Sequence, residues 1–438
     1  MYIKSFKITN IKTIQSFRFE LSSKEKMPGW HVIIGDNGSG KTTLARAVAL
    51  ALVGPREALA LKLKMDWGDW IRIGSESGEI QLAIKRDKDL DLLKGRGQPL
   101  KNYSVPAALT LSLVEDRDGK TVRIEAQTFE GIDNDRYIWG GGRGWFSASY
   151  GPFRRFSGGN FQYEKLYYSN PRLAPHLSVF GEDAALSECL GWLTELYIEN
   201  LELPSDRQNC LGLVIRFINE GGLLPHNTVL KEVTRKEVHF VDGNGCTLNV
   251  DALSDGYRSV LSMTFELVRQ LVRTYGQEAV FRNIRQGDMT IDLPGVVIID
   301  EVDAHLHPSW QRRIGGWFTK IFPKLQFIVT THSPLICQTA ANGSVWRLSA
   351  PGERTEGKRI VGAALERLVY GTVLEAFETD LFGKGVSRSA LAQEKLSRLA
   401  ALNVKQLRGK KLSSDEKSEL NRLRATFPSL LDEGLPKQ

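Results

Sequence analysis

The chain has 438 residues, of which 42% are hydrophobic and 25% are charged. These values are close to the averages of soluble globular proteins and exclude a disordered, collagenous or disulfide-scaffold chain. The four cysteines form no CxxC pair and no Cys/His cluster at metal spacing, which is typical of reduced, buried thiols. The net charge of +7 is mild for this length and leaves contact with nucleic acid open.

The sequence also carries no sign of a membrane segment. No apolar run reaches the roughly 18 residues that are needed to span a bilayer. The first residues alternate apolar and polar side chains and do not form the continuous apolar block of a signal peptide. We therefore expect a cytoplasmic protein that makes no contact with membranes.

Hydrophobic periodicity predicts an α/β protein. Alternating or continuous apolar patterns predict strands at 2–8, 14–21, 30–34, 79–84, 106–114, 120–126, 295–299 and 327–329, with a hairpin at 236–250. Longer stretches without breakers predict helices at 42–53, 182–199, 205–219 and 260–275. Residues 30–34 and 295–299 are almost entirely apolar, which is typical of strands that are buried on both faces.

Residues 137–159 are rich in glycine and aromatic side chains. The segment also contains Arg143, Arg154 and Arg155 among its aromatic residues. Such a surface suits the backbone of a nucleic acid, which would be bound mainly through its phosphates. A solvated surface whose arginines stack on the segment's own tryptophans explains the same pattern, so both interpretations stay open.

The last part of the chain differs in composition and predicts two charged helices, 387–407 and 413–426. The second opens with a capping-box pattern at Ser413 and Glu416. Eleven basic and four acidic residues lie between positions 384 and 424. Apolar stripes along the two helices comprise Leu396, Leu399, Leu402 and Leu407 in the first and Leu420, Leu423 and Phe427 in the second. The helices can bury these stripes against each other or dock a partner.

A complete phosphate-loop motif, G-x-x-x-x-G-K-[ST], lies between a predicted strand and a predicted helix. Its glycines allow backbone N–H groups to approach phosphate oxygens closely. Lys41 places a cation on the β- and γ-phosphates of ATP, and the hydroxyl of Thr42 can ligate Mg²⁺. The predicted nucleotide-binding residues here are Gly35, Asn37, Gly38, Ser39, Gly40, Lys41, Thr42 and Thr43.

Two carboxylates follow the apolar strand 295–299. At the carboxyl end of this strand, Asp300 would face the nucleotide and hold Mg²⁺ through water. Glu301 would then orient or polarise the attacking water as a catalytic residue. An acid at a strand end is a weak signal alone, but it becomes strong downstream of a complete phosphate loop.

Three further segments make the sequence resemble an ABC-type ATPase head of the SMC/RecF/OLD-like group. Residues 253–259 (LSDGYRS) resemble the signature loop, residues 303–308 (DAHLHP) resemble the D-loop, and residues 330–334 (TTHSP) resemble the switch-histidine segment. The resemblance implies that Ser254 and Gly256 contact the γ-phosphate held by Lys41 of a second subunit. It also implies that His332 contacts the γ-phosphate of its own subunit as a catalytic residue.

The resemblance implies an ABC-ATPase head with a mixed and antiparallel sheet lobe around a phosphate-loop core, plus a helical lobe. We expect the head to span 1–350, with a helical insert at 160–250, and a small C-terminal helical extension to span 351–438. The motifs run from residue 35 to residue 334, and no heptad pattern separates them. A long coiled-coil arm is therefore not expected.

Two departures from the family pattern concern single positions. Asp255 stands where the commonest signature has glycine, which places an extra negative charge near the expected subunit interface. No glutamine marks the Q-loop, and the segment Ser147–Pro152 is the best candidate for that position.

His305 and His307 have a spacing that metal ligands often use, but the intact D-loop register argues against a metal there.

The compact head, the glycine–aromatic segment and the basic helical tail together resemble the ATPase subunits of Septu-type anti-phage systems, including those attached to retrons. This resemblance implies an ATPase, with slow turnover, that uses ATP and Mg²⁺ and dimerises or forms a higher homo-oligomer. It implies control of a separate HNH-type nuclease subunit and no nuclease activity in this chain. The alternative is a RecF- or SMC-like ATPase that binds DNA in repair or chromosome maintenance.

Overall fold

The structure is a computed structural model. It describes residues 1–61, 65–92, 104–116, 119–130, 132–140, 143–156, 166–181, 187–202, 209–353, 355–377, 379, 381–382, 389–409 and 411–427. The chain divides into two compact units, a head at Met1–Val373 and a C-terminal unit at Leu374–Gln438. The predicted helices 182–199, 205–219 and 387–407 lie partly outside the described residues, at 182–186, 205–208 and 387–388.

A six-stranded sheet forms the centre of the head. Its strands are β3 (Gly29–Ile34), β7 (Ser147–Tyr150), β11 (Gly295–Ile299), β12 (Leu325–Thr331), β13 (Gly343–Arg347) and β14 (Lys358–Ile360). The spatial order is β14-β13-β3-β12-β11-β7. All neighbours are parallel except β13 and β14. Every residue of β3, β11 and β12 is buried, as their apolar sequences predict.

A five-stranded antiparallel sheet packs beside this core. It comprises β1 (Tyr2–Ile11), β2 (Ile14–Glu20), β4 (Ser77–Lys85), β5 (Ser104–Asp116) and β6 (Gly119–Ala126) in the order β2-β1-β4-β5-β6. A shift in register between Ile3 and Ser5 lets Ile3 enter the core together with Phe6. The strand therefore departs from strict period-two alternation at its start.

The remaining sheet has three strands, β8 (Val229–Val233), β9 (Val238–Val241) and β10 (Thr247–Asn249), where the sequence predicts a two-stranded hairpin. Helices of the head are α1 (Lys41–Val53), α2 (Pro55–Ala60), α3 (Leu177–Phe180), α4 (Glu188–Glu202), α5 (Cys210–Glu220), α6 (Asp255–Tyr275), α7 (Gln277–Val280), α8 (Arg282–Arg285), α9 (Pro308–Ile321), α10 (Pro334–Cys337) and α11 (Ala363–Tyr370). Within the described part of the chain, no helix combines the length and apolarity that crossing a membrane requires.

The hydrophobic core joins the antiparallel sheet to the phosphate-loop helix. Helix α1 is buried along most of its length, from Leu44 to Val53, because its apolar residues meet both sheets. This burial fixes the helix directly after the loop that carries the phosphate motif. The predicted fold, an ABC-type ATPase head with a mixed and an antiparallel sheet, is confirmed.

The C-terminal unit contains α13 (Ala390–Leu407) and α14 (Ser414–Thr426), which pack on each other, and α12 (Val373–Phe377) crosses the boundary between the units. The capping box at Ser413 and Glu416 is formed. The buried cluster between the long helices consists of Leu399, Leu402, Leu420 and Leu423, with Leu396, Leu412 and Phe427 packed against it. Leu407 is 86% exposed, so its predicted place in the apolar stripe is wrong.

The predicted boundary between head and extension, at residues 350 and 351, lies too early. Strand β14 pairs with β13 at the edge of the central sheet, and Glu25 pairs with Arg359 of β14. These contacts place residues 351–373 in the head. The sequence pattern hides this because β14 has only three residues.

Candidate nucleotide-binding site

The parallel strands of the central sheet bring the predicted motifs to one edge. Strands β3, β7, β11 and β12 run in the same direction, so the residues after each of them emerge together. The N–H of Asp300 donates to the carbonyl of Tyr150 at 2.8 Å, and the N–H of Val302 donates to that of Thr330 at 3.0 Å. The phosphate loop, the two carboxylates and His332 therefore share this edge, as is usual for ligand sites of parallel sheets.

The phosphate loop has the backbone shape that its glycines make accessible. Gly38 and Gly40 have φ values of 78° and 97°, in the left-handed region. A Cβ atom on Gly40 would approach Thr13 Oγ1 to 2.8 Å, so a side chain is also sterically excluded there. Asn37 lies at the exposed tip of the turn, and helix α1 begins directly after Gly40. The helix N-terminus faces the loop and favours an anion.

Lys41 lies folded back into this loop. Its Nζ donates to the carbonyl oxygens of Gly35 at 2.9 Å and Asp36 at 3.0 Å, and the residue is 5% exposed. Burial lowers the pKa of Lys41, and the nearby carboxylates of Glu301 and Asp300 oppose this shift. A phosphate that offers full negative charge can replace the two neutral carbonyls as the partner of this ammonium.

Asp300 is suited to hold a divalent cation. The side chain is fully buried, and Oδ1 accepts a hydrogen bond of 2.6 Å from Thr330 Oγ1. Among the described residues, Oδ2 has no hydrogen-bond partner. An orphaned carboxylate oxygen in a buried site is costly, and a hard cation with its water would satisfy it. Asp300, together with Thr42 in the first turn of α1, therefore fits Mg²⁺.

Glu301 has an unusual backbone conformation for a non-glycine residue, with φ at 46°. Its N–H donates to Thr330 Oγ1 at 2.8 Å, so one hydroxyl contacts both acids of the motif. Burial raises the pKa of Glu301, and the neighbouring Asp300 and Asp303 raise it further. A half-buried carboxylate of raised pKa has the character of a group that accepts a proton from water.

His332 follows β12 and lies close to Lys41. Burial lowers the pKa of His332, and the Lys41 cation lowers it further, so the imidazole is neutral at pH 7. The threonine before it is also engaged, since Thr331 Oγ1 donates to Asp303 Oδ1 at 2.5 Å. This bond ties the D-loop to the end of β12.

The signature segment lies at the start of α6. Ser254 is the N-cap residue but makes no side-chain cap hydrogen bond, and it is exposed. A Cβ atom on Gly256 would lie 2.9 Å from the carbonyl oxygen of His305, so the helix start packs closely on the D-loop. The extra charge of Asp255 is paired with Arg258 one turn later. The serine hydroxyl thus faces outward beside the D-loop.

His307 has a structural role that its spacing does not reveal. It caps helix α9, with its Nδ1 accepting from the N–H of Ser309 at 3.3 Å. The described residues contain no group of three or more His, Cys, Asp or Glu side chains that could hold a metal ion. The capping contact accounts for His307 without a ligand.

Arg154 corrects the interpretation of the glycine–aromatic segment as a surface. The residue is 4% exposed, and its guanidinium donates to the carbonyl oxygens of Gly151, Asp300 and Glu301 and to Ser259 Oγ. It is therefore unavailable to a nucleic-acid backbone. Within the described part of the segment, Arg143 and Arg155 are exposed.

The sequence did not predict the roles of two residues of the site, Arg154 and Thr330. Thr330 belongs to a threonine pair before the switch histidine, and a polar pair in an otherwise apolar strand is a usable signal. The role of Arg154 depends on contacts between segments that are distant in the chain, and a single sequence does not show such contacts. The Q-loop assignment to Ser147–Pro152 stays a prediction, although β7 does end beside the two carboxylates.

Family models match the chain in two parts. The model described as "AAA domain, putative AbiEii toxin, Type IV TA system" matches residues 124–338, and a second described as "AAA domain" matches residues 5–138. Both descriptions agree with an ATPase domain, as the phosphate loop predicts. A solved structure titled as an SMC head bound to the C-winged helix domain of ScpA covers 82% of this chain and 97% of its own, with 15% identity and a TM-score of 0.46.

Several curated proteins are more similar to this chain in sequence than that solved structure is. Septu protein PtuA of Bacillus mycoides is 24% identical over 81% of this chain and 41% of its own length. Septu protein PtuA of Bacillus thuringiensis is 25% identical over 91% of this chain and 88% of its own length. The Retron Ec83 probable ATPase of Escherichia coli is 34% identical over 31% of this chain and 23% of its own. The predicted resemblance to ATPases of Septu systems and retrons is confirmed; the chain spans less than half the length of the first and third of these proteins.

Proposed function

We propose that the protein binds and hydrolyses ATP with Mg²⁺. The observation that carries this proposal is the convergence of Lys41, Asp300, Glu301 and His332 on the edge of the central sheet, beside a phosphate loop of the right shape. ATP supplies the γ-phosphoryl group, and Mg²⁺ neutralises charge on its oxygens. The roles of the chain's own residues follow from their positions.

Each residue has one task at the phosphates. Lys41 exchanges its bonds to two loop carbonyls for phosphate oxygens, while Thr42 and Asp300 hold Mg²⁺. Glu301 orients the attacking water and accepts its proton, and neutral His332 donates a hydrogen bond to the γ-phosphate. Together these groups position the reactants and stabilise charge, which is most of what phosphoryl transfer requires.

The proposed ATPase activity is tested by a Lys41→Ala variant. Without the ammonium, we expect ATP affinity to fall by at least about tenfold, as for loss of a charge-assisted contact. Binding of a fluorescent ATP analogue and release of phosphate are measured on folded protein, with far-UV circular dichroism as the check on folding. Unchanged affinity in a folded Lys41→Ala variant would show that the nucleotide binds elsewhere.

The second part of the proposal concerns dimerisation around ATP. Ser254 is exposed, caps no backbone group with its side chain, and stands beside the D-loop. A serine hydroxyl at a helix N-terminus suits an anion, and here that anion would be the γ-phosphate held by a second copy. A homodimer or higher homo-oligomer would therefore complete each site.

The third part concerns a separate nuclease of HNH type, controlled during phage infection. The resemblance of the sequence to ATPase subunits of Septu-type systems implies this role, and relatives named Septu protein PtuA and retron ATPase support that resemblance. The C-terminal unit offers a docking surface, because its leucine cluster is internal and its exposed basic residues point outward. Besides Arg398, which pairs with Glu419, the exposed cations in the described part of this unit are five: Lys395, Arg408, Lys411, Lys417 and Arg422.

Charge complementarity makes the partner surface testable. Reversing the five exposed cations to glutamate should abolish co-purification with the HNH nuclease while ATP hydrolysis continues, because acidic partners are steered by such a patch. A control reverses three exposed cations of the head, namely Lys231 in β8 and Arg235 and Lys236 in the turn between β8 and β9. Retained capture by the first variant would exclude this surface. Loss of DNA binding that depends steeply on salt would favour nucleic acid as its ligand.

A further inference from the structure

Arg154 is a buried cation, and the loss of its hydration is costly unless hydrogen bonds replace it. The guanidinium is almost fully enclosed, and burial lowers the pKa of Arg154 to about 10, which leaves it charged at pH 7. Its bonds go to main-chain carbonyls and one hydroxyl. A buried guanidinium whose N–H groups are bonded to such partners is expected where the planar shape of arginine is needed to hold those partners in place.

The bonds connect three parts of the nucleotide site. Nη1 donates to the carbonyls of Gly151 and Asp300, both at 2.9 Å, and Nη2 donates to the carbonyl of Glu301 at 3.1 Å. Nε donates to Ser259 Oγ at 2.9 Å. Only the planar fork of arginine can reach two successive carbonyls and a hydroxyl at once, since a lysine ammonium is a single point of contact.

One end of this network holds the peptide of Glu301. The residue has φ at 46°, a conformation that costs a non-glycine residue energy and persists only when its surroundings hold it. Its N–H donates to Thr330, and its carbonyl accepts from Arg154 Nη2 and from the N–H of Ala304 at 2.9 Å. The bonds from Thr330 and Arg154 come from elements on opposite sides of β11, and both hold the backbone of Glu301.

The other end of the network holds the signature helix. Ser259 is buried in the second turn of α6, the helix that starts after Ser254. A displacement of this helix would therefore act on Arg154 and, through it, on the carbonyl of Glu301. No other hydrogen bond of the described structure joins the Glu301 carbonyl to α6 through a single side chain.

We propose that Arg154 is a positioning residue that couples the signature helix to the catalytic carboxylate Glu301. This inference rests on the proposed ATPase function. It means that contact of Ser254 with the γ-phosphate of a second subunit adjusts Glu301 in the subunit that supplies the serine. Arg154 itself touches neither nucleotide nor water and acts through the Glu301 peptide.

The test compares Arg154→Lys with the matched control Arg155→Lys, which changes the exposed neighbour in the same way. Arg154→Lys should lower kcat by roughly 10- to 100-fold, the usual effect of a small misplacement of a catalytic group, while the Kd for an ATP analogue changes less than about twofold. Arg155→Lys should leave both unchanged. Ser259→Ala, which removes one of the four bonds, should lower kcat less, and adding it to Arg154→Lys should cost nothing further.

A Glu301→Gln background separates positioning from general damage to the fold. If Arg154 acts through Glu301, Arg154→Lys should lower the residual hydrolysis of Glu301→Gln by less than about twofold, because coupled residues are non-additive. An equal loss in both backgrounds would overturn the proposal, as would a full wild-type kcat in Arg154→Lys. If Arg154→Lys does not fold, Ser259→Ala carries the same comparison. Absence of any Lys41-dependent hydrolysis in the wild type would instead overturn the ATPase function, and this inference with it.

Discussion

Replacing Thr330 by valine tests whether one hydroxyl holds both acids of the site. The side chain is fully buried, and its Oγ1 donates to Asp300 Oδ1 at 2.6 Å while accepting from the N–H of Glu301 at 2.8 Å. Valine has the same shape but can make neither bond. The buried carboxylate of Asp300 and the N–H of Glu301 would each lose a partner.

The expected cost follows from these two bonds. A hydrogen bond to a charged group contributes about 1.5–3 kcal/mol, and an orphaned N–H costs about 1–2 kcal/mol. Thr330→Val should therefore lower the free energy of unfolding of the head by about 2.5–5 kcal/mol. Thr330→Ser keeps the hydroxyl and loses one methyl group, for which about 1 kcal/mol is expected.

A second buried threonine provides the matched control. Thr264 on α6 is fully buried, and its Oγ1 has no hydrogen-bond partner among the described residues. Thr264→Val should leave stability unchanged or raise it by up to about 1 kcal/mol, because it removes an unsatisfied polar atom. The two Thr→Val variants thus make the same chemical change with and without loss of bonds.

The assay is urea unfolding followed by tryptophan fluorescence, with ATP hydrolysis measured on the same samples. Thr330→Val should shift the unfolding midpoint without altering the slope, and it should also lower kcat because both acids lose their support. A difference of less than about 1 kcal/mol between Thr330→Val and Thr264→Val would refute the reasoning. So would a Thr330→Ser variant that is as unstable as Thr330→Val.

Three further predictions concern catalysis, assembly and pH. Glu301→Gln should bind ATP but hydrolyse it at least about 100-fold more slowly, and size-exclusion chromatography should show an ATP-stabilised dimer; wild-type turnover would assign the role to another group. Ser254→Arg should block that dimer while ATP still binds the monomer, so normal hydrolysis by this variant would contradict a role in trans. Arg359 lowers the pKa of Glu25 to about 2 from 4.5, so their ion pair stabilises the head above about pH 4.5 and loses this effect as the pH falls towards 2. Glu25→Gln should cost about 1–2 kcal/mol at pH 7 after allowance for solvent screening, and a difference from the wild type that does not narrow on acidification would refute the assignment.

The elements that sequence patterns predicted best are those whose burial is uniform. Strands β3 and β11 are apolar at nearly every position because both faces are covered, and such runs have few other interpretations. The phosphate loop was equally readable, since its glycines are required by backbone conformation and by close contacts. In both cases the physical requirement acts on neighbouring residues and therefore appears in a short window of sequence.

Features that depend on contacts between distant segments could not be predicted in this way. Strand β14 is too short for a periodic pattern, and pairing with β13 alone makes it part of the head. Leu407 fits the spacing of an apolar stripe, yet it lies at the end of its helix and stays exposed. Arg154 has the composition of a surface residue and is buried because its partners come from three separate segments.

The same long-range contacts explain how Glu301, the proposed catalytic carboxylate, keeps a strained backbone. A left-handed conformation at a residue such as Glu301 costs about 1–3 kcal/mol. Thr330 lies on β12 and Arg154 follows β7, so elements on both sides of β11 each contribute one hydrogen bond to the backbone of Glu301, and the N–H of Ala304 contributes a third. These three bonds, one of them from a charged donor, are sufficient to offset that cost. The bonds come from separate elements, so a movement of either element weakens the hydrogen bonds that offset the strain. The backbone conformation of Glu301 therefore depends on the positions of both β12 and the segment after β7.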